Sequence, residues 1–111
     1  MTALMLPVQL GMTQVARELL GEIDRHCRAE LAACCERLGI ERMTCHLAVL
    51  PARDYLVIHV QGLESDLVLG RLAASRQPFE RWLYASLTEL TGLDVARSEA
   101  VQWLLPLADL H

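Results

Sequence analysis

Between residues 13 and 39 the apolar positions recur at helical spacing. In "TQVARELLGEIDRHCRAELAACCERLG" Leu20, Ile23, Cys27, Leu31, Cys34 and Leu38 fall on one side of a cylinder. Arg17, Glu18, Asp24, Arg25, Arg28 and Arg37 fall largely elsewhere. Thr13 stands where an N-cap belongs and Gly39 just past the end. The pattern predicts one helix of about 25 residues, about 37 Å long. A compact domain of this size is only about 26 to 30 Å across, so part of such a helix is expected to lie against a partner. Gly21 is the natural place for a bend.

The period then changes. "MTCHLAVL" (43–50) and "YLVIHVQG" (55–62) are β-branched and aliphatic runs joined by "PARD", which predicts a hairpin with a four-residue turn. The simplest register sets Leu50 opposite Tyr55 and therefore His46 opposite His59. Cys45, Leu47, Val49, Leu56, Ile58 and Val60 then share a core face. Thr44, His46, Ala48, Leu50, Tyr55, Val57, His59 and Gln61 share the other. That second face is mixed rather than plainly solvated, and something outside the main core is expected to cover it.

Helical spacing returns in "ESDLVLGRLAASRQPFERWLYASLTELTG" (64–92), with a break where Pro78 opens a new first turn. Phe79, Leu83, Leu87 and Leu90 make the buried stripe, and Gly92 marks the stop. Towards the end Val95, Val101, Trp103 and Leu105 alternate with Ala96, Ala100, Gln102 and Leu104 as strand, until Pro106 ends it. Residues 1–12 read as a loosely held arm and 13–111 as a single α+β domain. Its order is α-β-β-α(broken)-β, a two-layer sandwich with an antiparallel or mixed sheet of three to four strands covered by helices.

Composition narrows the setting. The apolar fraction of 53% is above the usual range, yet only five of the 111 residues are aromatic. A leucine-rich core that leaves apolar surface for a second subunit is the expectation, hence a homodimer. Net charge is 10 − 14 = −4, and every Lys/Arg position is arginine. No basic run appears, which excludes nucleic acid as a partner. "MTALMLPVQLGM" lacks a basic start and Pro7 interrupts its apolar stretch, so it does not read as a signal peptide. No run approaches the roughly 18 to 20 apolar residues of a membrane span, so no membrane insertion is expected. A cytoplasmic location with four reduced cysteines follows.

Two groups of residues invite chemistry. His46 and His59, if directly opposite, hold their Cβ atoms about 4.5 to 5.5 Å apart. That distance suits a metal corner or a pH-sensitive contact, although a third metal ligand would have to come from Tyr55, Gln61 or another subunit. The blander reading is local packing at a covered face. The cysteines show neither C-x-x-C nor zinc-ribbon spacing and read as small buried hydrophobes, with Cys35, at the rim of the apolar face, the candidate for redox sensing. No nucleophile elbow, H-E-x-x-H or phosphate-cradling glycine loop is present. The chain is therefore read as non-enzymatic, without cofactor or catalytic residue. Tyr55, Val57, His59, Trp103 and Leu105 are the expected interface.

Three segments carry a family likeness. "GIERMTCHLAVL", "DYLVIHVQGLES" and the helix end "LTELTGLDV" together resemble the MpsC-like family, small proteins linked to a sodium-translocating, membrane-potential-generating system. The matching positions are Gly39, Asp54, Leu56, Val57, Gly62, Glu89, Leu90, Thr91, Gly92 and Val95, within roughly residues 39 to 107. Ile40 stands where the family has proline, the linker helix "ESDLVLGRLAASRQ" is shortened, and the polar turn before a last hairpin is missing between Ser98 and Ala100. The resemblance implies a small soluble accessory protein tied to ion or bicarbonate transport. It brings no reaction and no catalytic residues with it. The expected function is thus a homodimeric accessory module that docks onto another protein, with a metal, ligand or pH sensor built on His46 and His59 as one alternative and a small enzyme with no recognisable motif as the other.

Overall fold

The first regular element is a strand. The computed structural model describes residues 2–62, 67–95, 97 and 102–104, and its β1 (Thr2–Pro7) runs through the interior of the sheet. The N-terminal arm expected over residues 1–12 is in this respect corrected. Leu4 and Leu6 point inward and are fully buried. Their alternation was masked because Ala3, Met5 and Pro7, between and beyond them, are apolar too. With β2 (Arg42–Val49), β3 (Asp54–Gln61) and the three-residue β4 (Gln102–Leu104), β1 builds a sheet in the order β2-β3-β1-β4, antiparallel throughout. Three long strands form its body, with β4 a short addition at one edge.

The single long helix is corrected as well. It is two helices, α1 (Thr13–His26) and α2 (Arg28–Leu38), parted at Cys27, whose φ of −123° and ψ of 19° leave the helical region. At about 21 Å and about 16 Å, neither outgrows the domain, so helix length no longer argues for a partner. The break turns each apolar stripe onto the core separately: Ala16 and Leu19 from α1, then Cys34, Cys35 and Leu38 from α2. Gly21, the expected place of a bend, lies inside α1, and the helical stretch is parted at Cys27. Thr13 is the first helical residue rather than the cap, and its hydroxyl donates to Asp54 of β3. Gly39, at φ 73°, closes α2 in the left-handed conformation that glycine adopts without strain.

The second helical stretch breaks as its pattern predicts, into α3 (Val68–Ala74) and α4 (Pro78–Thr91). Pro78 occupies the first turn, where a missing N–H costs nothing, and Gly92 ends α4 at φ 70°. Leu83, Leu87 and Leu90 are buried. Trp82 is 38% exposed, tilted against Phe79. The helices and the sheet meet in one apolar layer, where Leu4, Leu56 and Ile58 face Leu19, Leu69, Leu72, Leu83 and Leu87. The architecture is α+β, as read from the sequence.

Candidate docking face and histidine pair

The hairpin register decides which side chains meet. Val49 pairs with Asp54 and Ala48 with Tyr55, so the turn is Leu50–Arg53 rather than "PARD". The expected pairing of His46 with His59 is corrected: His46 stands opposite Val57, and His59 opposite Thr44. The slip amounts to two residues, which leaves every side chain on its assigned face. The histidines are therefore diagonal neighbours on one face, and their rings stack with centroids 5.3 Å apart and planes 20° from parallel. Imidazoles reach across a diagonal that shorter side chains cannot.

On that face lie rows that run across the strands. Met5, Val57 and His46 form one row, Pro7, Tyr55 and Ala48 the next, and Ala3, His59 and Thr44 a third. Among the described residues no helix packs here: Thr44 and His46 are exposed, while Ala3, Met5, Ala48, Tyr55, His59 and Gln61 are half-buried. Val57, between its cross-strand partners Met5 and His46, is only 8% exposed. Tyr55, Val57 and His59 thus share the sheet face that carries no helix among the described residues. Trp103 is in β4, opposite Leu4 in the register. Leu105 lies outside the described residues.

A polar corner adjoins the histidines. Arg42 pairs with Gln61 and Thr44 with His59, and the four side chains line a shallow depression of about 250 Å³. Among the described residues no group of three His, Cys, Asp or Glu is placed to hold a metal. His46 and His59 accordingly supply two ligands and no third.

The opposite side of β2 borders an apolar cleft of about 240 Å³ between that edge strand and α1, lined by Leu20, Ile23, Leu31, Met43 and Cys45. The exposed Asp24–Arg28 pair flanks it, with nitrogen and oxygen 2.8 Å apart. All four cysteines are free. Burial pushes the Cys34 and Cys45 thiols up to about 12 and raises Cys35 as well. Cys35, placed by sequence at the rim of the apolar face, is instead buried at 6% exposure. It lacks the access and thiolate character that a redox sensor needs.

One pair escaped the sequence reading. Arg37, assigned to a solvated face, makes two hydrogen bonds to Glu80, from Nε to Oε1 at 2.6 Å and from Nη2 to Oε2 at 2.9 Å. Glu80 is fully buried, and these bonds hold its carboxyl below the usual glutamate range. The pair ties α2 to α4 and serves the fold. The available signal was an acidic residue in the first turn of a helix, directly after Pro78 and Phe79. Among the described residues no helix is long and apolar enough to cross a membrane. Comparison with known proteins adds no relative: no family model matches this chain, and neither does any curated protein.

Proposed function

We propose that this chain is a non-enzymatic interaction module that pairs with a second copy through the helix-free face of its sheet and serves as an accessory to another protein. The observation that carries this reading is the makeup of that face. Met5, Ala48, Tyr55 and Val57 form a contiguous apolar patch with no helix over it among the described residues. A sheet face of this kind gains by removal from water against another surface. The likeness to the MpsC-like family supplies the setting, a cytoplasmic accessory of ion or bicarbonate transport. Light scattering behind gel filtration tests the first step. Twice the chain mass of 12.4 kDa is expected, and a monomer at micromolar concentration overturns the reading.

A second reading has its own observation. The stacked His46 and His59 rings place two imidazoles on the open face, a possible start for a sensor of metal or pH. Its test is the zinc, nickel and copper content of untagged protein, alongside His59→Ala. Absence of all three metals with an unchanged variant removes it.

A further inference from the structure

We propose that Arg42, Thr44, His59 and Gln61 form a binding site for a small doubly charged oxyanion, a sulfate or a phosphate group. The site lies on the helix-free face at the end away from Ala48 and Tyr55, and it needs no second copy to form.

Four side chains from two adjacent strands meet here as two directly opposed pairs, around a depression of about 250 Å³. Opposed Cβ atoms stand about 5 Å apart, and successive same-face residues about 7 Å apart along a strand. A polyatomic anion fits between groups so spaced. Each of the four can donate: a guanidinium fork, a hydroxyl, an amide and an imidazole N–H. Among the described residues none of their side chains is engaged in a hydrogen bond or ion pair. Uncommitted donors clustered around a depression are what an anion needs, and arginine matches the geometry of planar and tetrahedral oxyanions best.

The charge is also unusual for the molecule. The chain carries −4 overall, yet the titratable groups on this face of β2 and β3 are Arg42, His46, Tyr55 and His59, with no carboxylate. β1 contributes Ala3, Met5 and Pro7 to the same face, none of them titratable. His46 stacks on His59 from the side away from Arg42 and does not line the depression. The imidazole N–H of His59 and the guanidinium of Arg42 reach the depression from the two neighbouring strands.

Sulfate is the cleanest probe, because it stays a dianion from pH 6 to pH 8. Imidazole resonances of the full chain are followed by NMR during titration with sodium sulfate, against sodium chloride at equal ionic strength. A saturable shift of the His59 resonances with sulfate is expected. Arg42→Ala and Arg42→Gln, each checked for native circular dichroism, should bind about tenfold more weakly or worse. Glycerol phosphate in a parallel arm separates the sources: tighter binding than sulfate assigns the site to phosphate esters, equal binding to free oxyanions. A non-saturable response, or an affinity untouched in both arginine variants, overturns the proposal. Light scattering of the same samples reports the dimer separately.

Discussion

His46 and His59 stack at 5.3 Å although neither stands opposite the other. The contact runs along a diagonal of the β2–β3 ladder, which explains how a pairing expected from the wrong register survives in the right one. It also bounds what the pair can do. Two imidazoles with no third ligand make a weak metal corner, and among the described residues no third ligand is at hand. Untagged protein treated with EDTA should therefore keep its thermal midpoint, as read by circular dichroism. A marked fall would mean that metal binding contributes to the folded state, and would favour the sensor reading over docking.

Glu80 should matter to acid stability. Its folded-state pKa is depressed by Arg37, so the ionised carboxyl is the form the fold prefers. The stabilisation is complete above the ordinary value of 4.5 and is lost as pH falls through the lower folded value. Arg37 keeps 39% of its side chain exposed, which places the cost of Glu80→Ala near about 1 to 2 kcal/mol at pH 7. Urea unfolding at a series of pH values should show the gap between wild type and Glu80→Gln closing below pH 4.5.

β1 offers a sharper test of the fold. Leu4 is 0% exposed and paired on both sides, to Ile58 in β3 and Trp103 in β4. Leu4→Ala should cost about 2 to 5 kcal/mol by urea unfolding. A loosely held arm would lose almost nothing.

The elements that sequence revealed are those whose polar and apolar residues separate cleanly. α4 carries Pro78 at its start, Gly92 at its end and Leu83, Leu87 and Leu90 between them, and each signal agrees with the others. β1 was hidden because both of its faces are apolar: one meets the helices and the other is open. The break at Cys27 has no proline or glycine to announce it; it arises because each helix packs on the core separately, a tertiary effect invisible in periodicity. The hairpin faces were legible because a slip of two residues conserves them, whereas the partners across the ladder were not. Val49, assigned to the core face, is the last residue of β2 and is 61% exposed. The helix-free face emerged from its mixed composition, but the polar corner depended on the true register, which alone brings Arg42 opposite Gln61.

Thiol labelling follows from the same packing. Cys34 and Cys35 are buried, and burial keeps Cys34 and Cys45 protonated with values of about 12. Native protein at pH 7.5 should react slowly with a disulfide reagent, Cys27 first because it is only half-buried at the break between α1 and α2. All four should react at once in denaturant. A fast reaction of Cys35 in the native state would restore its place as a redox candidate.

The docking reading makes its strictest demand at Tyr55 and Ala48. They stand opposite each other at one end of the open face, both half-buried within a single chain and both clear of the helices. A bulky cation at either position leaves the core layer of Leu4, Leu56 and Ile58 untouched, because successive residues of a strand point to opposite sides. In a paired subunit, however, the same change buries a charge without a partner, which typically costs several kcal/mol. Ala48→Arg and Tyr55→Arg should therefore keep native circular dichroism and nearly native unfolding at low concentration. Light scattering should find them at the mass of a single chain, half that of the parent dimer. Were both variants to assemble as the parent does, the helix-free face would not be the contact between subunits, whatever the parent's mass.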